Sequence, residues 1–326
     1  MEKTISVIMP THDRADFLPY TLSLIGPQIK RNKDRVELVI CNNASNDNTI
    51  EVLEDLKKSD DFFEVINYND FVDIGVSIAR SVDNATGKYV LLWGDDDVPC
   101  PLLIDTLLYY IDNNPDVACF HYNRLAGVDA KDYGISELKV SNTLFEGRDK
   151  VYESSEEFIA ECYQTMGFLS ADLFLLSSWK KGKEKGIDCS KHYGFEFLAP
   201  IFCGIKGKKN MYINFPLCIQ RAPNFRKWLS RSPLFRYIGM PNLLQDLEKL
   251  DLIHGWNKIW NKHSNSSSAY IHLIPQMVLD KKMYKSRIRE MNSYQTSLWR
   301  KLYAYFCLYC VPQCFYLALR NRRFKK

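Results

Sequence analysis

Four short apolar runs constrain this chain more than any other feature: Thr4–Met9, Val36–Cys41, Phe63–Tyr68 and Lys88–Trp93. Each is followed by a stretch with helical spacing: Ala15–Ile29, Ile50–Lys57, Gly75–Thr86 and Pro101–Asn113. Runs this short and largely apolar suit strands in a sheet covered by helices. Strands alternating with helices predict an α/β fold with a mostly parallel sheet flanked by helices. Pro10 stops the first strand, and Thr49 is placed to cap the second helix. Val117–Tyr122, Met166–Leu176 and Met211–Ile219 read as further strands and Phe195–Gly204 as a helix, while residues 123–160 are polar without a clear period.

Ligands of such sheets bind beyond the C-terminal strand ends. Three polar segments fall there, Pro10–Arg14, Asn42–Asp47 and Asp95–Asp97, so they are expected to converge on one crevice. The third is the sharpest signal. Tyr-Val-Leu-Leu-Trp-Gly runs straight into Asp95, Asp96 and Asp97. Adjacent carboxylates repel one another and resist burial unless a cation compensates them. An all-oxygen donor set favours Mg²⁺ or Mn²⁺, and those ions favour a diphosphate. A solvated acidic turn is the competing reading of the same triplet.

At 326 residues, 46% hydrophobic and 13% aromatic, the chain is long and apolar enough for an ordered core. Its net charge of +4 hides an asymmetry. Residues 1–225 carry 24 Lys+Arg against 34 Asp+Glu, and residues 226–326 carry 19 against 5. A basic end on an acidic body predicts a second, anionic contact. The start, Met-Glu-Lys-Thr, leads into a strand and not into an apolar leader, which points to the cytoplasm. Cys41, Cys100, Cys119, Cys203 and Cys218 lie in apolar runs and suit a reducing compartment. Cys307 and Cys310 have metal-ligand spacing, but no second ligand pair or nearby His accompanies them.

Leu302–Leu319 holds no charged residue over 18 positions, is rich in aromatics and is interrupted by Pro312 and Gln313. Basic residues flank it on both sides, from Lys281, Lys282, Lys285, Arg287, Arg289, Arg300 and Lys301 to Arg320, Arg322, Arg323, Lys325 and Lys326. That pattern fits a segment lying in the interface of an anionic membrane; a helix pair packed on the protein's own core is the alternative. The charge-free run fits lipid and not nucleic acid, which calls for aromatics interleaved with the cations.

Several motifs recur in order and at family spacing. They are Val7-Ile8-Met9-Pro10-Thr11-His12-Asp13-Arg14, Glu37 to Thr49 with its Asn42-Asn43 pair, and Asp73-Ile74-Gly75 with Ala79-Arg80. Ala85-Thr86-Gly87-Lys88-Tyr89 and Trp93-Gly94-Asp95-Asp96-Asp97 complete the series. In these the chain resembles the family 2 glycosyltransferases of GT-A fold. The Trp-Gly-Asp-Asp-Asp form and Arg221-Ala222-Pro223-Asn224-Phe225-Arg226-Lys227-Trp228 resemble its abequosyltransferase-like group of surface-polysaccharide enzymes.

The resemblance implies a nucleotide-sugar-binding half over residues 1–110 and an acceptor-binding half over 111–228, followed by a basic helical extension over 229–326. It implies transfer of a sugar, with inversion and a divalent metal, from a nucleotide-diphosphate sugar to a lipid-linked saccharide at the inner face of the plasma membrane. Pro10, Thr11, Asp13, Arg14, Asn42, Asn43, Asp73, Arg80, Asp95, Asp96 and Arg221 would then bind donor, and Asp95, Asp96 and Asp97 would hold Mn²⁺ or Mg²⁺. Either Asp96-Asp97 or Asp95-x-Asp97 fits the family's acidic motif, with Gly94 where its first acid stands. Asn42-Asn43 replaces an acidic pair, and Arg80 and Arg221 have ordinary ion pairing as their alternative. Glu196 matches the general base, while a Glu favoured by a helix N-terminus is its plainer reading; Asp172 and Asp188 are weaker candidates. Pro10–Arg14 lacks the glycines that dehydrogenases, P-loop enzymes and sugar nucleotidyltransferases need after the first strand. An inactive scaffold that keeps the fold is the non-enzyme alternative.

Overall fold

A computed structural model describes residues 2–129, 135–140, 147–222, 231–264 and 267–323. They fall into two compact units, the first comprising Met1–Ile187 and Glu196–Asn224 and the second Asp188–Phe195 and Phe225–Lys326.

The first unit is built on one sheet of ten strands. In chain order these are β1 (Ile5–Thr11), β2 (Val36–Asn43), β3 (Glu64–Tyr68), β4 (Tyr89–Leu92), β5 (Val98–Pro99), β6 (Val117–Asp129), β7 (Ile135–Val140), β8 (Lys150–Tyr152), β9 (Asp172–Leu175) and β10 (Lys209–Ala222). The sheet runs β3-β2-β1-β4-β9-β6-β10-β5. The four runs form the parallel set β3-β2-β1-β4, in which β1, β2 and β4 are largely buried while β3, at the edge of the sheet, is exposed or half-buried along its length. β9 then enters antiparallel to both β4 and β6, and β6 pairs in parallel with β10. The expected donor and acceptor halves therefore contribute to a single continuous sheet.

Helices α1 (Leu18–Arg31), α2 (Thr49–Ser59), α3 (Ile74–Val82), α4 (Leu103–Asn113), α5 (Ser155–Met166), α6 (Leu176–Lys183) and α7 (Leu198–Gly204) belong to this unit. Along α1, Leu18, Leu22, Ile25 and Ile29 recur at helical spacing and bury against Leu38, Ile40, Leu103 and Leu107 in the main core. Full burial of such a side chain contributes about 1.5–3 kcal/mol. α1 begins three residues later than its apolar period suggests. The Ala15 amide donates to Asp47 Oδ2 at 3.3 Å and Arg14 turns the chain through its carbonyl, so the first turn is spent on the loop. Thr49 likewise does not cap α2. It is the first helical residue, and its hydroxyl donates to Asp47 and accepts from the Arg14 amide. Only the last part of Met166–Leu176 is a strand, because α5 runs to Met166 and a short helical turn, Leu169–Ala171, precedes β9.

The second unit is helical: α8 (Ser232–Leu234) continues through a π-helical turn, Phe235–Gly239, into α9 (Met240–Lys249), followed by α10 (Trp256–Ser264), α11 (Ser267–Leu273), α12 (Lys281–Ser293), α13 (Leu298–Cys310) and α14 (Gln313–Arg323). Its excursion Asp188–Phe195 is held by buried His192, whose Nε2 meets Asp246 at 3.0 Å, and by Asn242 Nδ2, which donates to the Lys191 carbonyl. The run 302–319 is a helix pair, α13 and α14, broken at Val311-Pro312. Among the described residues, no helix is long and apolar enough to cross a membrane.

Candidate functional site

β1, β2 and β4 are parallel neighbours, so their C-terminal ends lie along one edge of the sheet and their loops meet. The β1 and β2 loops are laced together. Asp13 sits at a φ of 53°, donates its amide to Ser45 and accepts from the Asn46 amide at 2.8 Å. His12 Nδ1 lies 2.9 Å from the Asn43 carbonyl.

The Asn42-Asn43 pair has a physical reason beyond any base it reads. Asn43 Nδ2 donates to the Val72 carbonyl at 3.0 Å, while its Oδ1 accepts from the Val72 amide. An amide can do both at once; a carboxylate cannot donate. The same Oδ1 accepts from Arg80, whose guanidinium also meets Asp70 Oδ1 at 3.2 Å and stacks 3.8 Å from the centroid of Tyr68. Asn42 is buried between Asn67 and Ser45. Asp73 stands just before α3, where its carbonyl accepts from Ser77.

All three carboxylates of the acidic run are buried, so a solvated acidic turn does not describe them. Asp95 accepts from Thr11 Oγ1 at 2.8 Å on one oxygen and from Arg14 Nε at 3.2 Å on the other. Burial pulls the Arg14 guanidinium down, but Asp95 and Asp96 outweigh it and hold it above its ordinary value. The Asp95 carbonyl accepts from Thr21 Oγ1, and the Asp96 carbonyl from Arg221 Nε at 2.7 Å. Arg221 is itself buried, above Tyr20 and Phe17, and not a surface ion-pair partner. Asp97 Oδ2 accepts from Ser170 Oγ at 2.7 Å, and that hydroxyl in turn accepts from the Gly94 amide at 2.7 Å.

This geometry explains Gly94. A Cβ there would lie 2.6 Å from Asp97 Oδ2 and 3.3 Å from Ser170 Oγ. An acid at that position has no room while Asp97 keeps its place. Gly75 is constrained in a similar way, since its Cβ would fall 1.6 Å from Glu196 Oε2. The Glu196 carboxylate therefore rests on the first turn of α3, two residues ahead of α7.

Asp188 is drawn off to its own turn, accepting from Ser190, whose hydrogen bonds hold its carboxyl below the usual range. Asp172 is fully buried, and burial pushes it up to about 6 against the pull of His121, 2.7 Å away. Arg124 escaped the sequence reading. Its guanidinium lies 4.5 Å from the Phe168 centroid, its Nε donates to Gln220, and burial lowers its pKa in spite of Asp97 and Asp172. The available signal was a lone cation following the apolar first half of β6. Of the Arg-Ala-Pro-Asn-Phe-Arg-Lys-Trp segment, residues 223–228 lie outside the described residues.

The family model for glycosyl transferase family 2 matches residues 6–172. The abequosyltransferase RfbV of Salmonella typhimurium is 26% identical over 258 residues, 74% of each chain. Among solved structures, S. aureus TarS in complex with UDP-GlcNAc matches with a TM-score of 0.58 at 14% identity, over 99% of this chain and 92% of that one. A mannosyltransferase from Pyrobaculum calidifontis, in complex with GDP-Man and Mn²⁺, matches with a TM-score of 0.50 at 12% identity, over 95% and 88%.

Proposed function

The chain belongs to glycosyl transferase family 2, a glycosyltransferase of GT-A fold using nucleotide-sugar donors, and we propose that it transfers a hexose or deoxyhexose, with inversion, to a lipid-linked or growing saccharide of a surface polysaccharide such as O-antigen or capsule. The observation that carries this reading is the buried acidic turn at the end of β4, with Asp97 fixed by Ser170 and the Asp96 backbone fixed by Arg221. The abequosyltransferase relative favours a deoxyhexose within that range.

Asp96 and Asp97 are the proposed metal ligands. Two carboxylates suffice for Mg²⁺ or Mn²⁺ when substrate phosphates and water complete the shell. When bound, the ion would neutralise charge growing on the leaving diphosphate. Asp95 takes the part of a loop anchor, with both oxygens engaged by Thr11 and Arg14. The Pro10–Arg14 backbone and the Asn42-Asn43 loop line the nucleotide side, while Arg80 sets the Asn43 amide and Asp73 leads into α3. Glu196 is the proposed base, taking the acceptor hydroxyl proton as its oxygen attacks the anomeric carbon.

The scaffold alternative drew on Gly94 and Asn42-Asn43. Gly94 and Asn43 have packing or hydrogen-bonding reasons of their own, which favours the enzyme reading. Incubation with a panel of nucleotide sugars and Mn²⁺ tests the reading. One donor is expected to be consumed, and Asp97→Ala to lose both turnover and Mn²⁺-dependent nucleotide affinity. Failure of every donor, together with nucleotide binding by Asp97→Ala equal to wild type, overturns it.

A further inference from the structure

Helix α13 carries apolar side chains on both its inner and its outer face. Its inner face, Arg300, Ala304, Cys307 and Leu308, is buried within the second unit, the Arg300 guanidinium lying 5.3 Å from the Tyr270 ring centroid. Its outer face presents Leu298, Leu302, Tyr305, Phe306 and Tyr309, spaced at i, i+4, i+7, i+8 and i+11 and so forming one stripe. Leu298 is 70% exposed, Leu302 60% and Phe306 54%, and Phe315 on α14 is 56% exposed. A soluble helix needs one apolar face, and a second row of large exposed side chains marks a contact surface.

The surroundings of the stripe say what it contacts. Lys285 of α12 places its Nζ 5.6 Å from the Tyr309 ring centroid, which sets the basic helix beside the aromatic stripe. Lys282 and Arg289 are also exposed on α12, and Lys301 is half-buried on α13. Residues 281–326 hold twelve Lys and Arg against one acid, Glu290, which accepts from Asn242. Asp280, next to this stretch, caps α12 by accepting from the Met283 amide. A protein-binding face gains nothing from so one-sided a charge unless its partner is strongly acidic. Tyr, Trp and Phe with Lys at their edge are the residues of the lipid headgroup layer. At 13 residues α13 is about 20 Å long, too short to span and long enough to lie flat.

We propose that the outer face of α13, continued by Phe315, is an interfacial docking surface for an anionic lipid bilayer, with the α12 lysines contacting the headgroups. The surface is distinct from the acidic turn, and membrane binding is separable from sugar transfer. It would bring a soluble donor to an acceptor held in lipid.

The test is sedimentation of the full chain with vesicles of neutral phosphatidylcholine or of phosphatidylcholine with phosphatidylserine. Binding is expected to the anionic vesicles, weakened by salt. Leu302→Ser with Phe306→Ser should weaken it at least tenfold. Lys282→Gln with Lys285→Gln should weaken it about fivefold per charge. Melting temperature and donor hydrolysis without vesicles should stay at wild-type values in both, since the changed side chains are exposed. Equal binding to the two vesicle types, or anionic binding that survives the Leu302/Phe306 change, overturns the proposal. So does absence of vesicle binding together with a concentration-dependent dimer, seen by light scattering and abolished in that variant, because a second copy would then cover the face. Loss of donor hydrolysis in the panel assay would overturn the transferase reading and leave vesicle binding untouched.

Discussion

Gly94→Ala is the smallest change that reaches the proposed metal site. The added Cβ would lie 2.6 Å from Asp97 Oδ2, against about 3.4 Å for ordinary contact, so atoms must part by about 0.8 Å. Asp97 has little freedom to yield. Ser170 holds the same oxygen at 2.7 Å, and that hydroxyl is itself fixed by the Gly94 amide. Overpacking of this kind costs about 1–3 kcal/mol of stability, or several degrees in melting temperature. Function should suffer more than stability, because a catalytic group misplaced by about 1 Å costs about 10²-fold. The expected result is a 10- to 100-fold fall in kcat/KM for the accepted donor, about 1.4–2.7 kcal/mol of transition-state stabilisation, together with weaker Mn²⁺ binding by calorimetry. Turnover and Mn²⁺ affinity both within twofold of wild type would refute the argument that Gly94 exists to leave room for Asp97.

Gly75→Ala should displace the Glu196 carboxylate, since no rotation of a methyl relieves a separation of only 1.6 Å; kcat is expected to fall at least tenfold with donor affinity kept, as in Glu196→Gln, and an unchanged kcat would exclude Glu196 as the base. Asn43→Asp should destabilise the protein by about 1–3 kcal/mol in urea titrations, because the Val72 carbonyl loses its donor and faces a carboxylate; a variant as stable as wild type would show that Arg80 makes good the loss. Asp172 is raised by burial from 3.8 to about 6, so the native state binds the extra proton between those values and stability falls as pH rises through that window. The fall is on the order of 3 kcal/mol and levels off above pH 6. The difference in urea midpoint between wild type and Asp172→Asn should trace that curve, and a difference flat from pH 4 to 7 would refute it.

Much of the fold was legible because the deciding signals are local. Runs such as Val36–Cys41 are short and largely apolar, as strands of a helix-covered sheet are, and the loops that end β1, β2 and β4 fall on one edge of the sheet. What escaped reading depends on partners distant in the chain. β9 lies between β4 and β6 because Asp172–Leu175 pairs antiparallel with both, and no periodicity in those four residues announces it. Thr49 has the right type for a cap, yet its hydroxyl is taken by Arg14 and Asp47. Within the site, the acidic run and Glu196 were readable as residue types, whereas the reason for Gly94 and Asn43 was not. A missing side chain or an amide shows its purpose only when Asp97, Ser170 and Val72 stand beside it. Arg124 was hidden because residues 123–160 show no clear period in sequence, while β6 continues through it to Asp129.

The grip of Arg221 on the Asp96 carbonyl spans 125 positions of sequence, and that of Ser170 on Asp97 spans 73. Contacts so distant close late in folding, after the local strand and helix pairs. The first 110 residues supply all three acids, yet the clamps that aim them are synthesised afterwards. A fragment ending near residue 110 would carry the complete acidic motif with its geometry unset. The acidic turn thus gains its last clamp only when β10 joins the sheet, and an emerging chain cannot set its geometry until its first unit is whole.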